Sequence, residues 1–137
     1  TMHLSSKGEY ALRALAYLQR RPDNGRLPTT AEICQSCRLP VKYVEQILTQ
    51  LRHAGILESK RGQQGGWKLA RSAADISVGE TLRTVDGRFT PLPEFLFKDS
   101  DDVLDLPSVR ALWMEVRDSV RRVMDSAPIT VLVGKRL

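Results

Sequence analysis

The segment from Thr29 to Arg71 constrains the fold of this chain more than any other. Thr29-Thr30-Ala31-Glu32 fits a capping box, in which a hydroxyl and a carboxylate satisfy orphan amides reciprocally. A short helix is predicted from there to about Arg38. Pro40 opens a further helix at a first-turn position, where its missing N–H costs nothing. Val41, Val44, Ile47, Leu48 and Leu51 recur at helical spacing and predict a buried stripe. Gly55 suits the left-handed residue past the helix end. Two short strands are predicted next, Ile56–Lys60 and Trp67–Ala70. Gly62, Gly65 and Gly66 let the connection between them turn.

Two short helices joined tightly and followed by a hairpin make a winged helix-turn-helix. The flanking segments fit around that plan. Ser6-Lys7-Gly8-Glu9 reads as another capping box, and Tyr10 to Leu18 is apolar nearly all round, so the first helix is expected to be substantially buried. Pro22-Asp23-Asn24-Gly25 stops it. Ser77, with Glu80 three residues on, starts a fourth helix ending at Asp86-Gly87. Residues 88–107 read as irregular, first apolar (Phe89, Leu92, Phe95, Leu96, Phe97) and then acidic (Asp99, Asp101, Asp102, Asp105). The apolar part reads either as lining for a small-molecule effector pocket or as packing.

The last long helix is expected over about 108–126. Val109, Leu112, Trp113, Val116, Val120 and Val123 repeat in 3-4-3-4 spacing, close to a heptad. The rest of the chain offers this stripe little to bury against, so it is expected to pair with a copy of itself. The fold class is therefore mainly α with a small β-hairpin wing. A winged helix-turn-helix DNA-binding domain spans 2–87, an effector or linker segment 88–107, and a dimerisation helix with a C-terminal tail 108–137.

Charge points to the partner. Residues 1–71 hold twelve Lys and Arg against five Asp and Glu, whereas residues 72–137 hold nine against eleven. One half is built to meet a polyanion. In a winged helix-turn-helix the second helix of the pair enters the major groove of double-stranded DNA. Its non-apolar face carries Lys42, Tyr43, Glu45, Gln46, Thr49, Gln50 and Arg52. Gln46 can pair with adenine, Glu45 can accept from a cytosine amino group, and Lys42 can approach guanine or phosphate. In the wing, "RGQQGGWKLAR", Lys60, Arg61 and Lys68 neutralise phosphate. Glycines such as Gly65 admit close approach, and Arg61 can reach a narrow minor groove. Trp67 is expected to pack the hairpin onto the helices. A nucleotide-binding loop does not fit, because no G-x-x-x-x-G-K-[ST] string is present.

Other classes are disfavoured. No apolar run approaches the ~20 residues that span a bilayer, no signal peptide precedes the first helix pattern, and a cytoplasmic setting is expected. No nucleophile–base motif points to an enzyme. The two cysteines, Cys34 and Cys37, share a face of the second helix. They read as small buried hydrophobes, with a redox switch or metal binding as alternatives. The aspartates of 99–102 lack the rest of a calcium loop, so no metal site is expected.

"LSSKGEYALRAL" (4–15), "VKYVEQILTQLRHAGILESKRGQQGGWKLAR" (41–71) and "ISVGETLRTVDG" (76–87) resemble a bacterial regulator family. It includes the iron–sulfur cluster regulator (IscR), the nitric-oxide-sensing repressor (NsrR) and the cysteine-metabolism repressor (CymR). The resemblance implies a homodimeric transcription regulator, most often a repressor, whose long helices cross at the interface. It also implies base contacts from Lys42, Glu45 and Gln46 and a minor-groove contact from Arg61. Lys42 stands where many members carry a small polar residue, so preference at that base is expected to differ. Cluster-binding members carry three cysteines after the Asp-Gly that ends the fourth helix, and some add a histidine before Ala-Leu-Trp. Here residues 87–107 contain neither cysteine nor histidine, and Arg110 precedes Ala111-Leu112-Trp113. Thiolates hold such clusters and arginine stays protonated, so no iron–sulfur cofactor is expected. The rival reading is a dimeric effector-binding or protein-interaction adaptor whose winged helix no longer reads DNA.

Overall fold

A computed structural model describes residues 6–22, 25–86 and 107–134 of the chain. Its elements run α1 (Ser6–Arg20), α2 (Thr30–Cys37), α3 (Val41–His53), β1 (Leu57–Lys60), β2 (Gly66–Leu69), α4 (Val78–Asp86) and α5 (Pro107–Ser126). Short 3₁₀ turns precede α4 (Ala73–Asp75) and follow α5 (Ile129–Val133). The strands form one antiparallel pair with Leu57 opposite Leu69 and Lys60 opposite Gly66. This is the mainly helical, hairpin-bearing fold expected.

Local chemistry accounts for most boundaries. Thr29 accepts from the Glu32 amide at 3.2 Å while the Glu32 carboxylate accepts from the Thr29 amide at 3.3 Å, so the capping box is complete. Ser77 and Glu80 form the same reciprocal pair ahead of α4, with amide bonds of 3.0 and 3.2 Å. α1 differs, because it already contains Ser6, and the Glu9 carboxylate pairs with Arg13 at 2.8 Å, one turn on. α2 ends at Arg38, a non-glycine residue at φ 55°, and Gly55 closes the turn after α3 at φ 77°.

Two expectations about α3 need correction. Pro40 sits at the N-cap, extended at φ −72° and ψ 125°, rather than inside the first turn. Val41 was expected in the buried stripe and is 53% exposed. The physical reason is that the packed face of α3 begins only at Val44, while Leu39, just before the helix, is the buried residue at its start.

The core gathers Ala11, Ala14 and Leu15 of α1, Ile33 of α2, Val44, Ile47, Leu48 and Leu51 of α3, and Leu82 and Val85 of α4. Its last contribution comes from after α5. Ala127 and Ile129 are buried, the Val78 amide donates to the Ala127 carbonyl at 2.8 Å, and the Ile129 amide donates to that of Ile76 at 2.8 Å. Gln19 of α1 adds a side-chain bond to the Ile129 carbonyl at 2.9 Å. The residues after α5 thus return to the core of the first 86.

α5 is held at its C-terminal end. Asp125 pairs with Arg83 at 2.5 Å, and Gly79 lies so close to Met124 and Asp125 that any side chain there would meet them. No described side chain of α5 is buried. Leu112 and Val123 of the apolar stripe are 57% and 63% exposed. The expectations for residues 87–106, including the apolar stretch and the acidic run, fall outside the described residues.

Candidate nucleic-acid interface

Four buried apolar side chains, Val44, Ile47, Leu48 and Leu51, fix the rotation of α3. That rotation turns Lys42, Tyr43, Glu45 and Gln46 outward. Each belongs to the first half of the helix, where amides without intrahelical partners and the positive end of the helix dipole favour an anion. Thr49 is half-buried, and its hydroxyl donates to the Glu45 carbonyl at 2.9 Å.

The wing is braced onto the helix pair. Trp67 is buried and its indole N–H donates to the Thr30 hydroxyl at 2.9 Å. The Arg52 guanidinium lies 5.6 Å from the centre of the same ring and donates to the Ser59 hydroxyl at 3.1 Å. One tryptophan therefore ties α2, α3 and the hairpin together, as the sequence suggested. Arg52, read as part of the polar face, is a strut between α3 and the wing.

The wing glycines answer to contacts within the chain. A Cβ on Gly65 would collide with the Lys60 carbonyl, and one on Gly66 with the Pro28 carbonyl. The second approach is needed because the Trp67 amide donates to Pro28 at 2.9 Å and the Leu27 amide to Gln64 at 3.3 Å. The segment before α2 thereby runs beside the wing. Sequence reasoning missed this; Leu27-Pro28 carries no strand signal of its own.

Lys60 ends β1 and Arg61 follows it, both exposed. Neither has an ion-pair partner among the described residues. Lys68 differs, pairing with Glu58 at 2.9 Å across the register pair. Both side chains are about half exposed, and such a pair contributes only ~0.2–1 kcal/mol, so Lys68 can exchange its partner for a phosphate. The predicted residues thus form two exposed groups: Lys42, Tyr43, Glu45 and Gln46 on α3, and Lys60, Arg61 and Lys68 on the wing.

Comparison with known proteins identifies this arrangement. The Rrf2 family, described as an iron-dependent transcriptional regulator, matches residues 4–135. The chain belongs to the Rrf2 family. It is 33% identical to the HTH-type transcriptional regulator CymR of Bacillus subtilis, over 97% of this chain and 91% of that one. It is 36% identical to the regulator IscR of Cronobacter sakazakii, over 98% and 82%. The solved structure of B. subtilis CymR, the global cysteine regulator, covers 98% of both chains at 29% identity with a TM-score of 0.79. A putative regulator from Listeria innocua reaches a TM-score of 0.83 at 29% identity, over 99% of this chain and 89% of that one. This Rrf2 protein is accordingly a DNA-binding transcription regulator with a winged helix.

The iron in the family description makes the donor set worth testing. The chain has only two cysteines, both on α2. Cys34 is buried, and burial raises its thiol above the ordinary value. Cys37, expected to be buried with it, is only half-buried because it faces the edge of α1 at Arg13: its Sγ contacts the Arg13 carbonyl at 3.7 Å, and its thiol is raised by burial and then by Cys34, with Arg13 opposing. Among the described residues no three His, Cys, Asp or Glu gather as a metal site. Two cysteines on one helix cannot supply the four protein ligands that a cluster takes, so these residues do not fit that cofactor. The raised thiol values leave less thiolate, which makes both cysteines weaker nucleophiles.

Proposed function

We propose that this Rrf2 protein works as a cytoplasmic homodimeric repressor on a roughly palindromic operator, by binding and not by catalysis. The observation that carries this reading is the outward face of the first half of α3 flanked by a cationic wing. Lys42, Glu45 and Gln46 contact base edges, Tyr43 and Thr49 the adjoining surface, and Lys60, Arg61 and Lys68 the phosphates. Gly65 keeps the wing tip tight enough to be placed. Arg61 at the wing tip enters the minor groove. Val109, Leu112, Trp113, Val116, Val120 and Val123 meet their counterparts across the dimer axis, supported by the lack of any buried side chain among those described on α5. Repression follows the resemblance. The signal is assigned to a small-molecule effector, given the donor chemistry of the chain. Cys34 and Cys37 are assigned to packing between helices.

Selection of bound duplexes from a random pool tests the whole reading. The expected product is an inverted repeat whose half-sites lie about 34 Å apart, or a multiple of it. If about eight phosphates are touched, log K against log salt should fall with a slope of about −7. A pool that shows no enrichment would reject DNA reading by this chain.

A further inference from the structure

The exposed apolar side chains are unevenly placed. Among the described residues, the large hydrophobics at least about half exposed are Val41, Tyr43, Leu112 and Val123. Leu112 and Val123 belong to the apolar stripe of α5. Val41 and Tyr43 share the first turn of α3. A lone exposed apolar residue is ordinary, so position decides whether it means anything. Tyr43 carries a hydroxyl that suits phosphate; Val41 presents hydrocarbon only.

Val41 stands one helical turn before Glu45, and Lys42 stands one turn before Gln46. Residues four apart are neighbours on a helix surface. The four side chains therefore form two adjacent rows, with an apolar group at the leading end of one. In the major groove, hydrogen-bonding edges satisfy lysine, glutamate and glutamine. The single apolar feature that a base pair offers there is the C5-methyl group of thymine.

We propose that Val41 determines specificity by packing its methyl groups against the C5-methyl of one thymine in each half-site. This rests on the reading of α3 as the base-contacting helix. Burying one methyl between apolar groups changes affinity by about fourfold per half-site.

The test replaces each thymine of the selected operator in turn by deoxyuridine, which removes only the methyl group. Affinities of the unaltered protein, Val41→Ser and Gln46→Ala are measured by fluorescence anisotropy. One thymine per half-site should show the loss with the unaltered protein. Val41→Ser should bind the parent operator more weakly and be indifferent to that replacement. The deoxyuridine arm needs no protein variant, so it stands even if Val41→Ser folds poorly. Two results overturn the proposal while leaving the base-reading helix intact: indifference of the unaltered protein to every replacement while Gln46→Ala still loses affinity, or retention of the sensitivity by Val41→Ser. If no duplex is preferred and Gln46→Ala changes nothing, the reading of α3 fails and the role of Val41 fails with it.

Discussion

A single side chain in this interface carries either information or attachment, and the two respond differently to substitution. Gln46 has donor and acceptor on one rigid amide, so it can engage both groups of an adenine edge. Gln46→Ala is expected to cost about 1–3 kcal/mol of operator binding and to relax one base position, read by competition with single-base operator variants. In the proposed complex Arg61 brings charge to the backbone and the minor groove. Arg61→Ala should weaken binding to all duplexes and reduce the preference for A-tract flanks, measured in the same assay at two salt concentrations. Glu80 gives a pH signature. Burial opposes its ionisation, but the Arg71 side chain and the Ser77 amide outweigh burial and hold the carboxyl below its ordinary 4.5. A depressed folded value gives stability that is complete above the ordinary value and is lost as pH falls through the folded one. Thermal unfolding of Glu80→Gln should therefore lose less midpoint temperature than the unaltered protein on acidification.

Elements in this fold are joined at points where backbone meets backbone. The wing meets the segment before α2 at Gly66, and α4 meets the end of α5 at Gly79. Gly66→Ala would push a methyl group into the Pro28 carbonyl, where no flexible side chain can yield. A loss of about 1–3 kcal/mol is expected, seen as a lower urea midpoint, with DNA affinity reduced through the displaced wing. At Gly79 the first obstacle is the movable Asp125 carboxylate, with the Met124 and Asp125 backbone behind it at 3.1 Å. The cap of α2 is simpler. Thr29→Ala removes a hydroxyl that satisfies an orphan amide and should cost about 0.5–2 kcal/mol.

At the scale of the whole molecule, α5 is fastened at one end, and none of its described side chains is fully buried. A twenty-residue helix with Leu112 and Val123 exposed makes sense when its stripe meets another stripe. Leu112→Glu should shift sedimentation towards the monomer and remove the half-site spacing requirement, since a monomer has one reading helix. Retention of the dimer by this variant would place the interface elsewhere. No helix of the described residues is long and apolar enough to cross a membrane.

Features that depend on near neighbours along the chain can be read without the fold. Capping boxes at Thr29 and Ser77, the left-handed Gly55, the 3.6-residue stripe of α3 and the two strands are all set within a few residues, and each is legible there. So is the outward face of Lys42, Glu45 and Gln46, because it is the complement of that stripe. Tertiary structure alone decided where stripes begin and what covers them. Val41 keeps the period of the stripe yet stands clear of the core, which α3 meets only from Val44 onward. The glycines of the wing read as freedom to approach phosphate, whereas Gly65 and Gly66 are required by carbonyls of the same chain. Ala127 and Ile129 close a core begun at Ala11, across a separation that no local pattern encodes. Burial depends on which surfaces meet, and surfaces distant along the chain meet only once it has folded.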